Sequence, residues 1–556
     1  KRGKMKVQDG RWRINSRDIW RSTECDHCLR LSMAVAAKVP EAVAKVEPYK
    51  VDLSNKLPIL QGTDFEAMLF AQLAASLGSQ FVELPPFSTH QDTARALAQN
   101  PVVLAQVYLA KDFGTFFITG YADLLVREDH TLVLDSNGNL SVETSGFEGN
   151  KYTVWDVKHS SKAKPHYLLQ VGSYLDALHD LGMASARPSG ILLRDRSLDA
   201  HDPDDLVSGY LLAREEFYQV LDSTPPSAVV TADGLSWQCV TPSTCGAIFC
   251  EYPGLCEADR VETDDLSQLY RMHPSHTQKL REAGLLTVAS IAKWVDDAPA
   301  KGIKPDQFER IRQWARVIEQ QKQLGEPCMA LLQTPSQIRA ELPKPHPADL
   351  FFDLEWYTNV GESRELHYVF GVVGRDQEFI KFEARDFEQE KIAFRNFMAF
   401  AAQHIAQNPG AHIYHYNNPE TLHLTKLAKD HGELDSQVGQ LFEHMVDLLP
   451  LVRASMVNGF GALGIKTLEH FYSTGVHDAD GLRGDTDVED GLDSQVKFYG
   501  YLKAVQAGDL AGAEAIFDSI LSYNKADCVS TVLLLNWLHA GLDGYPMIGL
   551  NGGGET

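Results

Sequence analysis

Asp156 and Lys158 stand two residues apart in Trp155-Asp156-Val157-Lys158, and Gln170 and Tyr174 follow four apart on the next predicted helix. Side chains alternate along a strand, so the carboxylate and the ammonium project toward one face. A cation ligand then lies beside a positive charge that can orient water or steady charge on an attacked phosphate. Gln170 and Tyr174 share one helix face. Two further acids come earlier. Thr119-Gly120-Tyr121-Ala122-Asp123-Leu124-Leu125-Val126 reads as a strand with one isolated acid, and Gly62-Thr63-Asp64-Phe65-Glu66 opens a helical pattern with Leu69, Leu73 and Leu77 on one face. Glu66, Asp123 and Asp156 are hard oxygen ligands suited to Mg²⁺ or Mn²⁺, which activate water and neutralise phosphate charge.

The ordered set Gly62-x-x-x-Glu66, Gly120-x-x-Asp123, Asp156-x-Lys158 and Gln170-x-x-x-Tyr174 resembles the RecB-like branch of the PD-(D/E)xK nucleases. The resemblance implies a restriction-endonuclease-like α/β nuclease whose catalytic residues are Glu66, Asp123, Asp156, Lys158, Gln170 and Tyr174. Many relatives place a metal-binding His just before the Glu; this chain has Phe65.

Eight cysteines are spread through the chain in a pattern unlike that of a disulfide-rich secreted scaffold. Cys25 and Cys28 precede the nuclease motifs, whereas Cys245, Cys250 and Cys256 follow them. Four thiolates gathered from the two ends of one domain would bind an iron–sulfur cluster or Zn²⁺ and tie those ends together. RecB-like nucleases of the iron–sulfur type place one Cys before the core and three after it. The resemblance therefore implies a 4Fe-4S cluster on Cys25, Cys245, Cys250 and Cys256, with Cys28 as the substitute for Cys25. Four-thiolate coordination of Zn²⁺ is the alternative.

A second acidic constellation begins at Asp349-Leu350-Phe351-Phe352-Asp353-Leu354-Glu355, an apolar strand ending in an Asp-x-Glu pair that could bridge two divalent ions. Tyr523 and Asp527 lie at i and i+4 of a helical pattern continuing through Val529, Val532, Leu533 and Leu535. The phenol could help place an attacking water while the carboxylate holds metal. These residues resemble the DnaQ-like exonucleases of the RNase H-like fold, in their Y-x-x-x-D version. The resemblance implies metal ligands at Asp353, Glu355 and Asp527. It puts the middle catalytic acid at Glu420, after the strand His412–Asn417, where relatives more often carry Asp. Asp447 matches an acid that shapes the site, and Gly464–Glu469 a segment near substrate.

Between the two constellations, Leu266, Leu269, Leu280, Leu285, Ile291 and Trp294 fit paired amphipathic helices with a turn at Glu282-Ala283-Gly284-Leu285. Helix–hairpin–helix units grip DNA backbone without reading sequence, and Arg271, Lys279, Arg281, Lys304, Arg310, Arg312 and Arg316 are available. A helical spacer with a solvated basic face fits as well. The expected fold class is α/β multidomain. A RecB-like nuclease with its cysteine cluster occupies 1–260, a helix–hairpin–helix-like segment 261–325 and a proline-marked linker 326–346. An RNase H-like exonuclease domain occupies 347–545 and a glycine-rich tail 546–556.

With 556 residues, 44% of them hydrophobic, the chain has material for several cores. A formal charge of −24 argues against a general nucleic-acid coat, leaving local patches such as Lys158, Lys162, Lys164 and His166 for phosphate. No apolar run reaches membrane-spanning length and no signal-peptide core stands at Lys1, so a cytoplasmic location without membrane contact is expected. The domain order resembles a bacterial family of RecB-like nucleases, some of whose members continue into a C-terminal helicase; truncation at either end fits that resemblance. The chain has no G-x-x-x-x-G-K-[S/T] motif, so ATP hydrolysis is not expected of it. The expected function is metal-dependent hydrolysis of DNA, single-stranded or at ends, with a second, exonuclease-like site. The rival is a nucleic-acid-binding or assembly subunit with degenerate sites that works with a helicase.

Overall fold

The computed structural model describes residues 4–51, 56–229, 250–295, 301–358, 365–417, 419–473, 482–483, 488 and 491–548. The chain forms two compact units that divide between Asp259 and Arg260. Among the described residues no helix is long and apolar enough to cross a membrane.

The first unit is built on an eight-stranded mixed sheet. Its strands are β1 (Lys6–Gln8), β2 (Arg11–Ile14), β3 (Phe81–Glu83), β4 (Val103–Asp112) and β5 (Phe116–Arg127), joined by β8 (Tyr152–Val157), β9 (Ser189–Leu192) and β10 (Leu198–His201). A separate hairpin pairs β6 (His130–Leu134) with β7 (Leu140–Thr144). A turn at Asp135–Asn139 closes this hairpin: Asp135 accepts from the amides of Asn137 and Asn139, and Gly138 takes the left-handed φ of 75°. Central β5 pairs with β2, β4 and β8, and every residue of β8 is buried. Both faces of β8 are covered, so Asp156 is carried into the interior of the unit. The helices Leu57–Leu77 and Pro165–Asp180 supply Leu69 and Leu73, and Val171, Leu175 and Leu178, to two hydrophobic clusters of this unit.

The second unit contains a five-stranded sheet ordered β14-β13-β12-β15-β16: β12 (Leu350–Thr358), β13 (Glu365–Gly374), β14 (Phe379–Glu383), β15 (Ile413–His415) and β16 (Met445–Asp447). β12, β13 and β14 are antiparallel; β15 and β16 run parallel to β12. Leu350, Phe352 and Leu354 pack on one face with Phe394, Phe397 and Met398 of helix Phe387–Gln407. Phe351 points the other way, into the core shared with helix Leu510–Ala540. This period-2 alternation places Asp353 and Glu355 on the Phe351 side.

Two parts of the second unit differ from the sequence reading. Residues 326–346, read there as a linker, carry β11 (Met329–Leu331), paired antiparallel with β17 (Met456–Asn458), and helix Pro335–Glu341. Pro335, one of the prolines that mark this stretch, opens that helix, where a missing amide costs nothing. Leu331 also bonds to the chain at Pro546 and Ile548, so the stretch read as a tail begins with an ordered segment. The helices Pro274–Glu282, Val288–Ala292 and Pro305–Leu324, with Leu285 from the connection between the first two, bury Leu280, Leu285, Ile291, Trp314 and Val317 in the same core as Val532, Leu535 and Leu538. The middle segment and the C-terminal sheet therefore share one hydrophobic core.

Candidate active sites

In the first unit the register Leu124↔Trp155 brings Asp123 and Asp156 to neighbouring positions on β5 and β8. Both are buried, and Asp123 Oδ2 accepts from the Val157 amide at 2.9 Å. Lys158 follows β8. Its ammonium pairs with Asp156 Oδ2 and lies 4.0 Å from Asp123 Oδ2. Gln170 Nε2 donates to Asp156 Oδ1 and to the Tyr174 hydroxyl, each at 3.0 Å. Glu66 accepts from Gln106 Nε2 at 2.5 Å. A cavity of about 530 Å³ is lined by Glu66, Lys158, Gln170 and Tyr174, with Lys4, Lys6, Arg13 and Arg17 also on its wall.

Gly120 makes room for this arrangement, since a Cβ there would lie 2.4 Å from the Tyr174 ring. Burial pushes the Asp156 carboxyl well above the ordinary carboxylate range; Lys158 opposes that shift and Asp123 adds to it. Burial works against the Lys158 charge, yet Asp156 and Asp123 hold its proton more firmly than usual. Glu66, Asp123 and Asp156 do not form a set of donor oxygens all within 4.8 Å. The ammonium lies between the two aspartates, and Gln106 engages Glu66. Phe65 is fully buried, its ring centroid 5.6 Å from that of His159, so an imidazole lies beside this helix from another strand end. The signal for His159, one residue past Lys158, was too local to stand out.

Cys25, Cys28, Cys250 and Cys256 come together in one buried cluster. Cys28 Sγ lies 3.6 Å from Cys250 Sγ, and Cys25 Sγ accepts from the Cys28 amide at 3.4 Å. Cys28, expected as a substitute, is thus in direct contact with an expected ligand. Cys245 lies outside the described residues.

The second unit gathers a tighter set. Asp353 and Glu355 of β12 and Asp527 of helix Leu510–Ala540 place one carboxylate oxygen each within 4.8 Å of one another. A cavity of about 690 Å³ is lined by these three, by Glu420 from the first turn of helix Pro419–His431, and by Tyr523. Asn524 Nδ2 donates to Asp353 Oδ2 at 2.7 Å. The Lys466 ammonium lies 3.3 Å from the Tyr523 hydroxyl. His415 Nδ1 bonds to the Asn417 carbonyl at 2.7 Å and lies 3.3 Å from Glu420 Oε2, so an imidazole stands beside the acid that is one methylene longer than its expected counterpart. Asp447 accepts from the amides of Asn417 and Leu449 and caps helix Leu448–Ser455, which fixes the loop beside the cavity.

Desolvation and then the charge of Asp527 raise Glu355 to about 8. Desolvation and then Glu355 raise Asp353 well above its ordinary value, and burial raises Glu420 against the opposing pull of His415. Crowded carboxylates that hold protons in this way are what a divalent cation relieves. Arg483 bonds to Asp527 Oδ1 at 2.6 Å and forks onto Glu469 at 2.5 and 2.9 Å. The sequence reading missed Asn524, Arg483, His415 and Tyr270; Tyr270 reaches the cavity wall from the middle segment beside Arg271, which the sequence offered as a DNA-backbone contact. Several cations proposed there for DNA have internal partners: Arg281 pairs with Asp265, Arg312 with Glu309, and Lys279 and Arg310 with backbone carbonyls.

A family model of the RNase_H superfamily, RNase_H_2, matches residues 350–539. No curated protein and no solved structure matches the chain. The chain therefore carries an RNase H-like domain within a mixed α/β, multidomain architecture. That superfamily points to metal-dependent hydrolysis of nucleic-acid phosphodiester bonds, usually with Mg²⁺ or Mn²⁺.

Proposed function

We propose that the chain is a metal-dependent nuclease acting on DNA, single-stranded or at ends, with its principal centre at Asp353, Glu355 and Asp527. The convergence of those three carboxylates inside the matched domain carries this reading. The donor set fits Mg²⁺ or Mn²⁺: all its atoms are hard oxygens, and beyond burial Glu355 and Asp527 raise the proton affinity of Asp353, and Asp527 that of Glu355. A divalent cation held there supplies neutralisation of phosphate charge and a more acidic water. Asn524 orients the Asp353 carboxylate, the Tyr523 phenol positions water, and Lys466 fixes that phenol. Glu420, beside His415, completes the acidic wall.

The first unit is read as a restriction-endonuclease-like nuclease, a reading supported by the Asp156–Lys158 ion pair and the Gln170–Asp156 hydrogen bond. Glu66, Asp123 and Asp156 would be its metal ligands once their oxygens, which do not lie within 4.8 Å of one another here, close on one ion; Tyr174 would support substrate. The thiols of Cys25, Cys28, Cys250 and Cys256 are read as its staple, through a 4Fe-4S cluster or Zn²⁺. Two sulfurs on a tetrahedral Zn²⁺ lie roughly 3.8 Å apart, close to the observed Cys28–Cys250 contact. A helicase partner and a cytoplasmic setting belong to this same reading.

End-labelled single-stranded DNA incubated with the anaerobically purified protein and Mn²⁺ tests it. Asp353→Ala should abolish most cleavage, and Asp156→Ala the remainder. Wild-type protein that binds DNA or RNA but cleaves neither would reject the nuclease reading. One observation favours the rival, a binding subunit with a blocked site: Arg483 occupies Asp527 Oδ1 with a guanidinium.

A further inference from the structure

On the same domain, and sharing no residue with the three-carboxylate cluster, Glu365, His367 and His423 place one donor atom each within 4.8 Å of one another. Glu365 and His367 lie two apart at the start of β13, and His423 lies one turn beyond Glu420 on helix Pro419–His431. His367 Nε2 is 2.8 Å from His423 Nδ1, which in turn is 3.5 Å from Glu365 Oε2. We propose that these three side chains form a second metal site, selective for a transition-metal ion of the Zn²⁺ class and distinct from the Mg²⁺ or Mn²⁺ site proposed above.

The chemistry of the donors sets the metal. Two imidazoles and one carboxylate suit Zn²⁺, Co²⁺ or Ni²⁺, whereas Mg²⁺ wants oxygen and retains its waters. A set of two His and one Glu leaves a fourth position for water. The surroundings fix the tautomer. Glu390 is buried, and its Oε1 lies 2.9 Å from His367 Nδ1 while accepting from the His367 amide at 2.6 Å. With its Nδ1 proton on that carboxylate, His367 directs the Nε2 lone pair at the other two donors. A carboxylate behind a ligating imidazole is the usual support of such sites. His431 Nε2 lies 3.0 Å from the second Glu390 oxygen and holds it in place. The Trp356 ring packs against His423 with centroids 4.1 Å apart, limiting rotation of that ligand. Burial keeps both imidazoles neutral, with His367 lowered to about 3 and His423 to about 4.

Lys426 is the competing cation. Its ammonium bonds to Glu365 Oε2 at 2.8 Å, but its side chain is 37% exposed and can swing into water. Two nitrogens on a tetrahedral ion stand roughly 3.3 Å apart, so the imidazoles need separate by only about half an ångström. A bound ion would clamp β13 to the helix that carries Glu420.

Co²⁺ titration of the full chain in excess Mg²⁺ tests this, because tetrahedral Co²⁺ absorbs in the visible and thiolate ligands add a separate charge-transfer band. One equivalent without thiolate character should weaken more than about tenfold in His423→Ala and in Glu365→Gln. The thiolate band should stay unchanged. Glu365→Gln keeps shape at a half-exposed position, so it reads binding even where His423→Ala loses structure. Lys426→Ala should tighten the same equivalent, an effect that a purely structural role for these side chains would not produce. Equal stoichiometry, affinity and spectrum in wild type, His423→Ala and Glu365→Gln would overturn the site.

Discussion

Asn524 reaches Asp353 because Gly371, directly opposite Asp353 on the neighbouring strand, has no side chain. A Cβ on Gly371 would lie 1.6 Å from Asn524 Oδ1. Gly371→Ala should push Asn524 away and strain helix Leu510–Ala540 at a cost of about 1–3 kcal/mol. Cleavage should fall further than the shift in thermal midpoint explains. Asn524→Ala, which leaves the helix seated, should reproduce the activity loss with a smaller stability loss.

Metal-free protein should lose stability as pH rises. Glu355 titrates at about 8 in the folded chain, against an ordinary value of 4.5. Between those values the folded state holds a proton that the unfolded state has released, so its stabilising effect is complete below about 4.5 and is lost as pH passes through about 8. Thermal melts in chelator from pH 5 to 8.5 should show a falling midpoint, flattened in Glu355→Gln. Mg²⁺ should restore most at the alkaline end, where the carboxylates are free to bind it.

Lys158→Met should cost about 1–3 kcal/mol, because Asp156 is left fully buried without its cation. The double change with Asp156→Asn should cost less than the sum of the two single changes, which denaturant melts of all four proteins can measure. Additivity would mean that the ion pair contributes nothing to the fold.

Arg483→Gln should raise Mg²⁺ or Mn²⁺ affinity at the three-carboxylate cluster, since it frees Asp527 Oδ1. Calorimetric titration reads this directly. Should cleavage appear in Arg483→Gln alone, the guanidinium is what silences the wild-type site.

On the proposed cluster or Zn²⁺ staple, Cys28→Ser should lower the metal content of the purified protein. Visible absorption of protein purified without oxygen separates iron–sulfur from Zn²⁺, which is colourless. Full retention of metal in Cys28→Ser would return the fourth ligand to Cys245.

Much of the candidate chemistry was legible because it depends on local spacing. Asp353 and Glu355, Tyr523 and Asp527, and Gln170 and Tyr174 are short-range pairs whose relative direction follows from strand or helix periodicity. The partners that complete these sites were not. Arg483 meets Asp527 across 44 positions, His367 meets His423 across 56, and Gly371 meets Asn524 through strand register. No periodicity within one segment reports such meetings. The prolines near 335–347 misled for a related reason: Pro335 marks a helix start as readily as it marks a linker.

Helix Leu510–Ala540, 31 residues and so roughly 46 Å long, has two occupations along its length. Tyr523, Asn524 and Asp527 serve the acidic cavity, while Val532, Leu535 and Leu538 are packed in a core completed by residues 266–342. The family match begins at residue 350. A recombinant fragment cut there would strip the far half of this beam of its cover and tilt the half that carries the carboxylate. Arg260, not Leu350, is the place to begin an autonomous piece, and inactivity of a shorter one would say nothing about the chemistry.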